Sequence, residues 1–157
     1  MSERFGIPHG VAAVIRRKNP ATQALEVLLM LRAERLYMGG YWALPVGHVE
    51  PKESPSQAIA REAREEVGSK ASSDKFRHLI TVSTPPEPGE GPEGQRTDFY
   101  FELAAKDLGG EPQNMEPDRC DDLRWFPEDA LPEKFMPRQR AALGYIAAGA
   151  TYVEIGW

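Results

Sequence analysis

The sequence predicts an α/β domain, a mixed β-sheet sandwiched between helices on its two faces. Three observations carry that reading. Aliphatic and β-branched runs of strand length recur along the chain, a helix with complete start and stop signals falls between them, and a second helix signal follows the last run. With 157 residues, 41% of them hydrophobic, the chain is long enough to bury one core and is expected to form one domain over 1–157.

The first strands are GVAAVIRR (Gly10 to Arg17) and ALEVLLMLR (Ala24 to Arg32), joined as a hairpin through the polar KNPATQ. YWALPVG reads as a short extended piece leading into the helix. There Ser54 is placed as N-cap, Pro55 at the first helical position and Gln57 to complete a Ser-x-x-Gln capping box. Gly68 is placed to end the helix in a left-handed conformation. Ile59, Ala60, Ala63 and Val67 share one apolar face that can pack on a sheet.

KFRHLITVST (Lys75 to Thr84) and TDFYFELAA (Thr97 to Ala105) are strand-like. Between them PPEPGEGPEGQ is too rich in Pro and Gly for regular structure; it reads as a mobile loop, either a connector or a flap over a site. LRWF (Leu123 to Phe126) is a further short strand, and PRQRAALGYIAAG (Pro137 to Gly149) a second helix opened by Pro and closed by Gly. The tail TYVEIGW is expected to pack onto the domain or onto a partner subunit, which leaves a homodimer open.

A formal net charge of -5 argues against a broad electrostatic grip on a nucleic acid polymer or an anionic membrane. It leaves room for a small phosphate ligand held by a few local cations and a metal. Cys120 is the single cysteine, so no internal disulfide can form and a reducing compartment is expected. MSERFGIPHG has no apolar core of signal-peptide length, and no run is long enough to span a bilayer; a cytoplasmic location is the expectation.

The helix carries Glu62, Glu65 and Glu66 on one face in its last turns. Like charges at this spacing cost roughly 0.2–0.5 kcal/mol per pair, and carboxylates near a helix C-terminus a further ~0.3–1 kcal/mol each. Arg61 and Arg64 can offset part of this, so an isolated acidic cluster reads first as a solvated face. A cluster of hard oxygen ligands would instead bind Mg²⁺ or Mn²⁺, whose charge removes the repulsion.

The whole stretch GHVEPKESPSQAIAREAREEVG, with Gly47, Glu53, Arg61, Glu62, Glu65, Glu66 and Gly68 at fixed spacing, resembles the Nudix box, G-x5-E-x7-R-E-U-x-E-E-x-G-U, where U is a bulky aliphatic. Every fixed position is filled, and the strands around it are similar to a Nudix fold. Ala63 is small for a U position, Ser69 is polar where an aliphatic is usual, and Val46 stands where close relatives often have Gly.

The resemblance implies hydrolysis of a nucleoside diphosphate linked to another moiety, with Mg²⁺ (or Mn²⁺ as a substitute) and an attacking water. By similarity Glu62 and Glu66 are the main metal ligands, Glu65 serves a second metal or a water, and the backbone carbonyl of Gly47 completes the coordination. Arg61 and Glu53 brace the loop against the helix and orient those ligands. The general base is left open among Glu65, Glu66 and a carboxylate outside the box. His48 is either a contact to phosphate or water, or a polar loop residue. Such chemistry needs positioning and electrostatics and no nucleophilic side chain, so Cys120 is expected to be an inert buried thiol. His9 and His78 are expected to be ordinary surface or edge-of-core residues.

NMEPDRCDDLRWF (Asn114 to Phe126) is similar to the branch that hydrolyses nucleoside triphosphates, oxidised ones included, where a loop glutamate reaches the metal; Glu116 is that candidate, against a plain turn residue before Pro117. Arg32, by similarity, approaches substrate phosphates. Trp42 and Phe101, with Tyr41 and Trp125, are candidates to stack on a nucleobase or else belong to the core. Pro85 and Pro86 lie about where ADP-ribose pyrophosphatases carry a marker proline, which makes ADP-ribose the alternative substrate class. A Nudix-fold module that senses nucleotide without cleaving it is the alternative outside enzymes, although such modules usually lose box glutamates.

Overall fold

The computed structural model describes residues 5–157, so the first four positions of the N-terminal stretch lie outside the described residues. Along the chain come β1 (His9–Lys18), β2 (Leu25–Arg32), β3 (Trp42–Ala43), β4 (Val46–His48), α1 (Pro55–Val67), β5 (Arg77–Thr84), β6 (Arg96–Ala104), β7 (Cys120–Pro127), α2 (Pro137–Ala147) and β8 (Tyr152–Glu154). One mixed sheet runs β3-β2-β1-β6-β5-β8, with β4 paired to β1 and β7 to β2.

Period-2 alternation along β1 decides the layers. Val11, Ala13 and Ile15 point into a core shared with Ala58, Ile59, Ala63 and Val67 of α1. Ala12 and Val14 point the other way, into a core with Ala142 and Leu143 of α2. The buried strand interior is therefore apolar on both faces, as a sheet covered by helices requires. This is the sandwich the sequence predicts.

The helix signals are realised as read. The Ser54 hydroxyl accepts from the Gln57 N–H, the Gln57 side chain accepts from the Ser54 N–H, and Gly68 closes α1 at φ 74°. Substituting such an N-cap by Ala would cost about 1 kcal/mol. The remaining elements extend the sequence reading: β7 is longer than LRWF, and a 3₁₀ turn (Ser73–Lys75) precedes β5. The 85–95 loop contains a 3₁₀ turn at Pro92–Gly94, so it is not wholly irregular. The tail packs on its own chain: β8 runs parallel to β5, and the Trp157 indole N–H donates to the Ser83 carbonyl at 3.3 Å.

A fork in the sheet positions the site. β1 and β2 pair only at Arg16–Lys18 with Leu25–Val27 and then separate. The start of β1 takes β4 as its neighbour, and the end of β2 takes β3. The segment from Trp42 to His48 thus bridges the fork, anchored midway by the Ala13 N–H on the Pro45 carbonyl at 2.9 Å. No helix among the described residues is long and apolar enough to cross a membrane.

Candidate active site

The fork opens into a cleft of about 700 Å³. Arg32 ends β2 on one wall, Gly47 and His48 come from β4, Glu62, Glu65 and Glu66 from α1, and Glu116 from the loop before β7. Seven residues scattered from position 32 to 116 are brought to one surface. A shallower depression of about 510 Å³ lies outside the Glu53–Arg61 pair and shares only Glu50 with the cleft.

Arg61 organises the acidic wall from behind. Its Nε and Nη2 donate to the two oxygens of Glu53 at 2.8 and 3.0 Å, its Nη1 donates to Glu62 Oε1 at 2.8 Å, and its Nη2 also reaches the His48 carbonyl at 2.9 Å. One guanidinium therefore ties the loop, the helix and a cleft carboxylate together. The Arg61 guanidinium holds the Glu53 carboxyl below its usual range. Neither Glu53 nor Arg61 lines the cleft itself.

Gly47 is fixed by close approach. A Cβ there would lie 2.0 Å from Cδ of Glu62, so any side chain would force the carboxylate out of place. Glu66 is half-buried in the cleft, and its Oε2 accepts from the Val46 N–H at 3.0 Å. Burial, then the negative charge of Glu62 and Glu116, pushes its carboxyl up to about 9. Burial also pushes Glu62 upward, against the opposing pull of Arg61. Glu65, with its side chain 51% exposed, faces solvent at the rim.

The loop carrying Glu116 is docked on the end of α1. The Gln113 and Met115 N–H groups donate to the Val67 and Glu66 carbonyls, which the helix itself leaves unpaired. The Asn114 side chain then clamps the turn, accepting from the Glu116 N–H and donating to the Cys120 carbonyl. This brings Glu116 close enough to raise both Glu62 and Glu66. Cys120 itself is 2% exposed, its thiol donates to the Asp122 carbonyl, and burial pushes it upward.

The residues fit a divalent cation. The donors are hard carboxylate oxygens, crowded and partly desolvated beside a glycine that keeps the space open, and a cation would remove their repulsion. Among the described residues no group of three or more His, Cys, Asp or Glu side chains is already arranged to hold a metal ion.

Arg32 sits where the sequence places it. Its Nε donates to the Tyr37 carbonyl at 2.8 Å, which leaves the terminal nitrogens without a protein partner among the described residues. His48 is an exposed residue on the cleft. Two substrate-contact expectations do not hold in this structure. Phe101 is 6% exposed in the α1-side core, and Trp42 packs edge-on to Phe126 with centroids 4.7 Å apart; neither borders the cleft, and nor do Tyr41 and Trp125. Pro85 and Pro86 are also absent from it. His9 and His78 sit edge-on to Phe99 and Phe101, as ordinary residues.

The opposite wall went unread in the sequence. It is built from Arg96, Asp98 and Tyr100 of β6, Met136, and Arg138 and Gln139 of α2. A signal for part of it was present. In RTDFYFELA the odd positions Phe99, Phe101 and Leu103 go to the α1 core, so the even positions Arg96, Asp98 and Tyr100 must face the other way.

The chain matches the NUDIX domain over residues 7–144. It is 32% identical over 119 residues to the NAD-capped RNA hydrolase NudC of Stutzerimonas stutzeri, which covers 76% of this chain. It is 43% identical over 42 residues, 27% of this chain, to the 8-oxo-dGTP diphosphatase of Proteus vulgaris. These matches span 38% of the length of each of those relatives. Among solved structures, a MutT NUDIX hydrolase from Burkholderia pseudomallei superposes with a TM-score of 0.73 at 29% identity, covering 89% of this chain and 98% of that one. With a family match over most of its length, a complete box and the corresponding fold, the chain belongs to the NUDIX family.

Proposed function

We propose that this protein is a Mg²⁺-dependent pyrophosphohydrolase of nucleoside triphosphates, oxidised or non-standard ones included, releasing nucleoside monophosphate and pyrophosphate. The observation that carries the reading is the acidic wall. Glu62, Glu66 and Glu116 are crowded until Glu66 is driven up to about 9, which costs stability unless a cation takes the place of the proton.

Glu62 and Glu66, with the Gly47 carbonyl, would hold the cation, and Glu116 and Glu65 stand within reach to support it. Bound there, a divalent ion neutralises polyphosphate charge and lowers the pKa of water. The protein's own residues do the rest. Arg32 presents free guanidinium nitrogens to a phosphate oxygen. Arg61 and Glu53 hold Glu62 and the 47–53 loop in register, so that little reorganisation is needed at the moment of reaction. The oxygen of a water attacks phosphorus, the anhydride P–O bond breaks, and pyrophosphate leaves with the electron pair. Glu65, solvent-exposed at the rim, is placed to accept the proton and pass it out, with Glu66 and His48 as the other groups on the cleft.

A nucleoside diphosphate linked to another moiety, such as ADP-ribose or an NAD-type group, is the second reading, favoured by the NudC relative's name. Chromatography of products across nucleoside triphosphates, oxidised dGTP, ADP-ribose and NAD in Mg²⁺ separates them. Monophosphate plus pyrophosphate from a triphosphate is the expected result. Cleavage of ADP-ribose or NAD alone would overturn it, and binding without any cleavage would favour a sensor.

A further inference from the structure

Four arginines border the cleft, and they are not held alike. Arg96 donates to Asp98 at 2.9 Å and Arg138 to Glu87 at 2.7 Å, so each has its own hydrogen-bonded carboxylate. Arg32 is steered by the bond from its Nε to the Tyr37 carbonyl. Arg119 differs. Among the described residues its guanidinium donates no hydrogen bond, and its neighbouring carboxylate is Glu116, with Nε 3.7 Å from Oε2. That distance is an ion pair and too long for a hydrogen bond. The Arg119 side chain is 59% exposed, and a solvated pair of this kind contributes little and breaks easily.

The backbone beneath that loose side chain is fixed. The Arg119 N–H donates to the Glu116 carbonyl at 2.9 Å, and the Arg119 carbonyl accepts from the Ala33 N–H at 3.0 Å. The next residue, Cys120, is in register with Arg32 across β2 and β7. Arg119 is thereby rooted beside both Glu116 and Arg32. A guanidinium carries five donors and keeps its charge, so it settles on whichever anion is at hand. A divalent cation drawn to Glu62 and Glu66 also attracts the Glu116 carboxylate and repels Arg119. The released fork then lies next to Arg32, where two guanidiniums can clasp a phosphate group.

We propose that Arg119 exchanges partners: it is the counter-ion of Glu116 in the metal-free protein and a phosphate ligand beside Arg32 once the metal is bound. It meets the phosphate chain of the nucleotide and not its base. The inference rests on the nucleotide reading of the cleft, and not on turnover.

The exchange predicts effects of opposite sign from one substitution. In calorimetric titrations of the full chain, Arg119→Gln should bind Mg²⁺ alone about twofold to fivefold more tightly than the wild type, because Glu116 loses its competing partner. With Mg²⁺ saturating, the same variant should bind α,β-imido analogues of the four ribonucleoside triphosphates about tenfold more weakly, by a similar factor for every base. Arg119→Lys keeps the charge and should return Mg²⁺ affinity to the wild-type value. In a Glu116→Gln background, Arg119→Gln should no longer change Mg²⁺ affinity, while the loss of analogue binding persists. Both affinities falling together, neither changing, or a loss confined to one base would overturn the assignment. These shifts without cleavage of the natural triphosphates would sink the pyrophosphohydrolase reading and leave this one standing. A wild type that binds no nucleotide would sink both.

Discussion

The two walls of the cleft are built in opposite ways. The acidic wall is mostly local: Glu62, Glu65 and Glu66 lie on one helix, Glu53 and Arg61 brace them from behind, a single guanidinium links Glu53, Glu62 and Glu65, and Glu116 joins from the loop before β7. The facing wall is assembled from β6, α2 and the bridging segment, elements separated by dozens of positions in the chain. The local wall has fixed spacing because the helix repeat sets its geometry. The assembled wall has no spacing at all, because only the sheet register brings its members together. In the function proposed above, the catalytic groups come from the first wall.

The comparison breaks most sharply at Glu66. Glu66→Gln should lower turnover by on the order of 10²–10³ or more while retaining the fold. Steady-state rates with thermal unfolding in parallel check this, and near-normal turnover would remove the acidic wall from the chemistry. Next in size is Arg61→Lys, which keeps the charge but not the paired bonds to Glu53 and the bond to Glu62. Activity is expected to fall about 10–100-fold, mostly through weaker metal dependence, read from the Mg²⁺ concentration at half-maximal rate.

A stability test sharpens the same wall without substrate. The Glu66 carboxyl is raised from about 4.5 to about 9 in the metal-free fold, so the folded state holds that proton more tightly than the unfolded chain. Its contribution is therefore complete below about pH 4.5 and is lost as the pH climbs to about 9. In chelator, Glu66→Gln should match the wild type near pH 5 and melt several degrees higher near pH 8, and a constant difference at both would contradict the burial of that charge. The smallest effect is expected at Phe101. Phe101→Leu should destabilise by about 1–2 kcal/mol as a core change and leave KM for any nucleotide within error, whereas a raised KM would return it to the cleft.

The same contrast explains what could be read from sequence. The α1 caps are local side-chain to backbone bonds, so Ser54, Gln57 and Gly68 announced them. Glu116 lay outside the box, and it was legible only through a resemblance; the physical reason for its position, a loop capping the free carbonyls of α1, needed the fold. Residue type alone leaves Trp42 and Phe101 open between stacking on a base and belonging to the core. Alternation along β6 sends Phe101 inward with Phe99 and turns Tyr100 to the cleft instead. Gln139 gives no signal in the sequence, since its bond to the Leu44 N–H joins positions 95 residues apart that only the fold brings together.

The most direct measurement of the account is the proton balance of metal uptake. Mg²⁺ is titrated calorimetrically into the metal-free protein near pH 7.5, in buffers of different ionisation enthalpy. With Glu66 protonated in the metal-free fold, binding should release about one proton in the wild type and none in Glu66→Gln, where affinity should also fall. Binding with no proton release, equal in the two proteins, would contradict the claim that these crowded carboxylates exist to hold a divalent cation.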